Sequence, residues 1–152
     1  MAPKKYTLFA KGNPVIVEVN LAATPDAVWK AITDPGQMKQ WYFNELEDFS
    51  PVVGFSTRVT VHFEDKVYLH EWKVTEVVPG NKLSYGWRYP DEPGDSLVTF
   101  ELFPEKEQVR LKLTHAGIES FPQEKPDFRR DSFTEGWTEL LGKNLKEFLE
   151  KH

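Results

Sequence analysis

The chain has 152 residues, 14% of them aromatic, a formal net charge of −5 and no cysteine. This length fits one domain spanning residues 1–152, the aromatic content argues against disorder, and an acidic chain lacks the basic surface of a nucleic-acid binder. Without cysteine, disulfides and thiolate metal sites are excluded. No apolar stretch approaches the length of about 20 residues that spans a bilayer, and Met1 to Ala10 lacks the apolar core of a signal peptide. We therefore expect a cytoplasmic protein without membrane insertion.

The first predicted elements are one strand and two short helices. Apolar and polar residues alternate over residues 15–22, which is the period of a half-buried strand. Thr24 can act as an N-cap before a proline, and this predicts a helix over residues 24–33 that ends ahead of the next proline. A second proline-led start predicts a helix over residues 35–40, with Trp41 at its exit.

The middle of the chain reads as a series of strands. Period-2 alternation recurs over residues 58–63, 68–74, 83–89, 98–102 and 109–113, with glycine- and proline-containing turns between several of the rows. We expect about six strands here, joined as an antiparallel meander because no helical segment separates them.

A long helix is predicted at the C-terminal end. Residues 118–131 read as a loop, and Ser132 with Glu135 has the spacing of a capping box. A helix of roughly 18 residues follows, with an apolar face that is the only one long enough to cover the sheet. The predicted class is therefore α+β, with a curved antiparallel sheet around the C-terminal helix and space for a pocket between them.

Three stretches resemble a known family. The sequence TPDAVWKAITDP at residues 24–35, followed by Trp41, is similar to the opening of the START-like (SRPBCC) superfamily. WKVTEVVPGNKLSY at residues 72–85, and LTHAG at residues 113–117 followed by Gly136-Trp137, resemble further signatures of the family named after the activator of the Hsp90 ATPase homologue. Together they cover the chain from about residue 14 to 150.

The resemblance implies a helix-grip (START/Bet v1-like) fold with a hydrophobic cavity. Members of the superfamily bind lipids, sterols, hormones and polyketides, and a few are cyclases or hydrolases. Small stand-alone members of the family are commonly bacterial and lack an assigned reaction. The N-terminal domain with which the eukaryotic co-chaperone engages Hsp90 has no counterpart in this sequence, so an Hsp90 interaction is not expected.

The predicted ligand-binding residues are mostly inward-facing aromatic side chains. An equally simple alternative is that they fill the core of a small domain. The fourteen candidates are Trp41, Phe43, Val61, Phe63, Tyr68, His70, Trp72, Tyr85, Trp87, Phe100, Leu113, Phe133, Trp137 and Leu140.

The histidines and serines decide which chemistry the sequence supports. His70 shares the inward parity. It either hydrogen-bonds a ligand or acts as an acid or base, or it is a core histidine that is satisfied by a neighbouring group. We expect a structural hydrogen bond for His115, and no histidine pair has metal-ligand spacing. The serines are expected mostly in turns, caps or outward positions, and no G-x-S-x-G motif or glycine-rich phosphate loop occurs. No catalytic residue, metal or cofactor is therefore assigned.

The sequence favours binding of a small hydrophobic molecule between the sheet and the C-terminal helix. Two alternatives stay open: a small cyclase- or hydrolase-like enzyme using His70 with Tyr68 or Tyr85, and a chaperone-interaction domain. Arg58, Arg88, Arg110 and Lys112 have the outward parity, so the cavity should lack a fixed positive charge.

Overall fold

A computed structural model describes residues 13–151; the segment from Met1 to Ala10 and the terminal His152 lie outside them. The elements before the C-terminal helix are β1 (Val15–Leu21), α1 (Pro25–Thr33), α2 (Pro35–Trp41), β2 (Ser56–Phe63), β3 (Lys66–Val78), β4 (Lys82–Arg88), β5 (Ser96–Glu105) and β6 (Gln108–Ala116). The C-terminal helix follows as α3 (Arg130–Glu139), a π-helical segment (Leu140–Leu145) and α4 (Lys146–Lys151). Within residues 13–151 no helix has the length and apolar character needed to cross a membrane.

The six strands form one antiparallel sheet in the order β1-β6-β5-β4-β3-β2. The predicted helix-grip architecture is confirmed, but five strands rather than about six follow the short helices. Part of the connection between α2 and β2 instead lies along the outer edge of β2. The Glu45 carboxylate accepts from the His62 backbone N–H at 3.2 Å, and the Asp48 carboxylate accepts from the Thr57 hydroxyl at 2.5 Å. These contacts protect an edge strand and place Phe43 over the sheet.

The two short helices form where the sequence predicts them. The Thr24 hydroxyl accepts from the Ala27 N–H at 3.1 Å at the start of α1. The Asp34 carboxylate does the same for the first turn of α2, accepting from the Gln37 N–H at 3.0 Å. The Trp41 indole then donates to the Ala31 carbonyl at 2.8 Å, which ties the end of α2 to α1 and fixes this corner of the cavity.

The predicted start of the C-terminal helix at Ser132 is wrong. The helix begins at Arg130, and its N-cap, Arg129, makes no side-chain capping hydrogen bond. The region predicted as a loop contains two short 3₁₀ turns, Ile118–Ser120 and Pro126–Phe128, and the second runs directly into the helix. The Arg129 carbonyl already accepts from the Ser132 N–H at 3.0 Å, so Ser132 lies inside the first turn and cannot cap it.

Cationic side chains fix the C-terminal helix along β1. The Arg130 guanidinium donates to the carbonyls of Asn13 (3.1 Å) and Pro14 (3.2 Å) at one end of the strand. The Lys146 ammonium donates to the Asn20 carbonyl at 3.2 Å at the other end. The helix is thus held at the β1 edge of the sheet, and this leaves space toward β2, β3 and β4.

Candidate functional site

A cavity of about 920 Å³ lies between the C-terminal helix and one half of the sheet. Its walls come from β2, β3 and β4, from the end of α2, from the second 3₁₀ turn and from the helix. Lys39, Gln40 and Phe63 belong to the lining and are exposed, so the cavity opens to solvent between α2 and the tip of the β2–β3 hairpin. Phe63 is 46% exposed, a large apolar side chain at this mouth.

The structure brings most of the predicted site residues together. Ten of the fourteen line this cavity: Trp41, Phe43, Val61, Phe63, Tyr68, His70, Trp87, Phe133, Trp137 and Leu140. Leu140 lies in the π-helical segment, together with a further lining residue, Asn144. Such wide turns are frequent at functional sites, and nothing in the sequence periodicity distinguishes this one from regular helix.

The other four predicted residues lie elsewhere, in the packed core. Trp72, Tyr85, Phe100 and Leu113 are each at most 1% exposed and do not line the cavity. The Tyr85 ring lies 5.3 Å from that of Trp72 and 6.1 Å from that of Phe100, between ring centroids. The inward parity predicted for them is right, but at their end of the sheet neighbouring rings fill the space.

Several residues that line the cavity were not among the fourteen predicted from the sequence. Tyr89 continues the alternation of β4 and could have been found from its parity, whereas Phe128 sits in a 3₁₀ turn without periodicity. Tyr42 caps the end of α2. Its ring stacks on Trp41 (4.8 Å) and Trp72 (5.4 Å), and its hydroxyl shares a 2.7 Å hydrogen bond with that of Tyr85. Tyr42 therefore forms the boundary between the cavity and the packed core.

His70 is a buried wall residue whose imidazole makes no hydrogen bond within the part of the chain that the structure describes. It is 4% exposed, and its ring lies 4.8 Å from the rings of both Trp87 and Tyr89. Its Nδ1 atom has no hydrogen-bond partner among the described residues, so the alternative of a core histidine satisfied by its neighbours is wrong for this atom. The indole N–H of Trp72, the next inward-facing residue on β3, also has no partner among them. Burial lowers the pKa of His70 to about 3, which keeps the ring neutral at pH 7.

His115 is the second buried histidine, and its ring is fully hydrogen-bonded, which confirms its predicted structural role. The Trp137 indole, which can only donate, donates to Nδ1 at 3.0 Å. Nε2 must then carry the proton and donate to the Ser96 hydroxyl at 2.8 Å, and Ser96 in turn donates to the Trp87 carbonyl at 2.6 Å. Burial, then the nearby His70, lowers the pKa of His115 to about 3.

Ser84 and Ser96 are exceptions to the prediction that the serines lie mostly in turns, caps or outward positions. Ser84 and Ser96 are 2% and 1% exposed, and each is satisfied by a neighbouring strand. The pair of Ser96 and His115 has the spacing of a nucleophile and its base. However, the tautomer fixed by Trp137 makes His115 the donor to Ser96, and neither residue lines the cavity. This pair is therefore part of the packing and cannot act as a nucleophile–base dyad in this arrangement.

The mouth of the cavity has an excess of carboxylates. Its charged lining residues are Lys39, Glu45, Asp127, Glu135 and Glu139. Asp127 accepts from the Tyr68 hydroxyl and from Lys66 at 3.1 Å, and the Tyr68 bond in particular holds the pKa of this carboxyl below its usual value. Burial, the largest single influence, raises the pKa of Glu45, but the hydrogen bonds from the His62 backbone, its own backbone and the His62 side chain together lower it, so Glu45 also stays ionised at neutral pH. Within residues 13–151 no three such groups cluster as metal ligands.

Comparisons with known proteins identify the family. The family described as activator of Hsp90 ATPase homolog 1-like protein matches residues 22–150, and the chain belongs to it. No curated protein sequence matches significantly.

Solved structures share the fold over nearly the whole chain. Protein MLL2253 from Mesorhizobium loti is 27% identical, with a TM-score of 0.70 over 91% of this chain and 98% of its own. DynU16, a protein of the dynemicin biosynthetic locus, is 26% identical, with a TM-score of 0.72 over 91% of this chain but only 48% of its own. The Aha1 dimer from Colwellia psychrerythraea is 21% identical, with a TM-score of 0.70 over 91% of this chain and 97% of its own, a likeness of fold alone.

Proposed function

We propose that this member of the family binds a small, largely apolar molecule in the cavity between the C-terminal helix and strands β2–β4. The observation that carries the proposal is a cavity of about 920 Å³ with aromatic walls and one buried imidazole to which residues 13–151 supply no hydrogen bond. Small-molecule sites in proteins occupy about 300–1,000 Å³ and combine apolar walls with a few polar groups. This cavity has the same size and composition.

The packed end of the same sheet supports the proposal that the open end binds an apolar ligand. There, aromatic rings on the same face fill the core, so the chain can close its interior with side chains of this kind. Phe43, Tyr68 and Leu140 instead remain only half-buried around the cavity. An apolar ligand would remove their exposed surface from water, at about 25 cal/mol per Å² before the costs of binding.

The comparisons agree with ligand binding in general terms. DynU16 belongs to a biosynthetic locus, and we extend from it only the idea of a small organic ligand. No arrangement of acid, base and nucleophile in the described residues favours an enzyme, and the similarity to an Aha1 structure supports no chaperone contact beyond the shared fold. The cytoplasmic location stays a prediction from the sequence.

Tryptophan emission provides the assay, because Trp41, Trp87 and Trp137 line the cavity. We would titrate flavonoids, sterols, fatty acids and nucleotides, and follow emission and melting temperature together. Flavonoids and sterols should change both, and nucleotides should change neither. If nucleotides bind best, or if no apolar compound has any effect, the cavity does not bind an apolar ligand.

A pair of helix variants localises the binding. Leu140→Phe adds volume inside the cavity, whereas Glu147→Phe adds the same ring at an exposed position of the same helix. We expect the first to weaken binding of any hit about tenfold or more and the second to leave it unchanged. Equal effects of the two variants would place the ligand outside the cavity.

A further inference from the structure

We infer that the ligand is uncharged and bears a hydroxyl group that hydrogen-bonds to His70, and that the mouth of the cavity selects against anionic ligands. This inference rests on the proposed function and narrows it to a class of ligand. It combines two observations that are independent of each other: an unsatisfied imidazole in the wall, and an excess of carboxylates at the entrance.

The environment of His70 is apolar except for the cavity itself. Around its ring lie the rings of Phe43 (5.5 Å), Trp72 (6.0 Å), Trp87 and Tyr89 (both 4.8 Å). The Tyr89 hydroxyl is engaged in accepting from the Trp87 indole at 3.0 Å. These rings cover Nδ1, so a ligand in the cavity would meet the imidazole at its other nitrogen, Nε2, for which the described residues also supply no hydrogen bond.

A hydroxyl group suits this position better than a purely donating or accepting group. In a neutral imidazole one nitrogen donates and the other accepts, and no hydrogen bond within the described residues fixes the tautomer of His70. A hydroxyl both donates and accepts, so it satisfies either tautomer. A carboxylate only accepts, and because the ring is neutral it would enter the apolar wall without a counter-charge.

The charges at the mouth of the cavity also disfavour an anionic ligand. Glu135 and Glu139 lie one turn apart on α3, and neither makes an ion pair within residues 13–151. Glu45 adds a third carboxylate, and Asp127 is balanced by Lys66. Lys39 is the single cation among the lining residues. An anion approaching the cavity therefore meets net repulsion, while an uncharged ligand does not.

Three probes with one ring system separate these effects: 2-naphthalenemethanol, 2-methylnaphthalene and 2-naphthoate, titrated by calorimetry at low ionic strength. We expect the alcohol to bind about threefold to tenfold more tightly than the hydrocarbon, the usual range for one hydrogen bond. The naphthoate should bind more weakly than either. Naphthoate binding as tightly as the alcohol would overturn the inference, whereas failure of all three probes would instead contradict the proposed function.

Two variants assign the effects to their residues. His70→Phe should reduce the preference for the alcohol over the hydrocarbon to near one; an unchanged preference would show that the hydroxyl binds elsewhere. The double variant Glu135→Gln, Glu139→Gln should strengthen naphthoate binding about twofold to fivefold, an effect that salt should diminish. Glu147→Gln, on the same helix away from the cavity, should not change naphthoate binding. Equal effects of the double variant and this control would contradict the inference that the carboxylates at the mouth repel anionic ligands.

Discussion

Both ends of the inward face of the sheet carry aromatic residues, but one end is tightly packed and the other borders a cavity. At one end Trp72, Tyr85 and Phe100 are packed ring against ring, and at the other end Phe43, Tyr68 and His70 surround a cavity of about 920 Å³. The difference arises from what covers the two ends. Tyr42 at the end of α2 and Phe49 in the following loop lie against Trp72 and Tyr85. At the other end the C-terminal helix, which Arg130 and Lys146 hold along β1, leaves a cavity in front of Tyr68 and His70.

The two buried histidines show the same contrast at the level of single atoms. Both are neutral because burial lowers their pKa values to about 3. His115 is bonded through both nitrogens to Trp137 and Ser96, whereas Nδ1 of His70 has no partner within residues 13–151. Burial alone therefore does not distinguish a structural histidine from a candidate binding residue; the hydrogen-bond partners do.

The largest expected effect is at Trp137, a buried helix residue that lines the cavity on one side and contacts Phe100 of the packed core on the other. Trp137→Ala should lower the free energy of unfolding by about 3–5 kcal/mol, because it removes a 2% exposed ring and the donor to His115. Leu140→Ala, at a half-buried position of the cavity wall, should cost clearly less. Urea unfolding monitored by circular dichroism would measure both, and an unchanged midpoint for Trp137→Ala would mean that the helix is packed differently.

Matched substitutions of the histidines sharpen the comparison. His115→Phe should cost about 2–4 kcal/mol, because it leaves the Trp137 indole without a partner and removes one bond of Ser96. His70→Phe should leave the stability of the ligand-free protein within about 1 kcal/mol or raise it, since it removes a polar atom that has no partner. Equal losses in the same urea experiment would show that His70 has a structural bond after all.

The pH dependence of stability should separate the histidines from other groups. In the unfolded chain a histidine has a pKa near 6.5, against about 3 in the fold, so only the unfolded state binds the proton as pH falls below 6.5. This contribution to stability is present above pH 6.5 and is lost progressively toward pH 3, amounting to about 2 kcal/mol per histidine between pH 7 and 5. His70→Phe should remove about half of the histidine-linked loss; the same slope in the variant would contradict the burial of a neutral His70.

Much of the fold follows from local patterns in the sequence, and the cavity follows only partly. The alternation of apolar residues places β1–β6 and their inward faces, and the caps at Thr24 and Asp34 place the short helices. Parity cannot show that the space next to Trp72 is filled and the space next to His70 is open, because this depends on where Tyr42 and the C-terminal helix pack. The entry of the 3₁₀ turn into α3 and the π-helical turn at Leu140–Leu145 are likewise set by tertiary packing.

The most direct test of the central claim compares methyl groups at the two ends in the presence of an aromatic ligand. Val61 and Leu140 line the cavity, whereas Leu111 and Leu113 are fully buried in the packed core. In methyl-labelled protein titrated with 2-naphthalenemethanol, ring-current shifts should appear at Val61 and Leu140, and the signals of Leu111 and Leu113 should hardly move. Shifts that are largest at Leu111 and Leu113, or none at any of the four at saturating ligand, would contradict the account of an open, ligand-binding end.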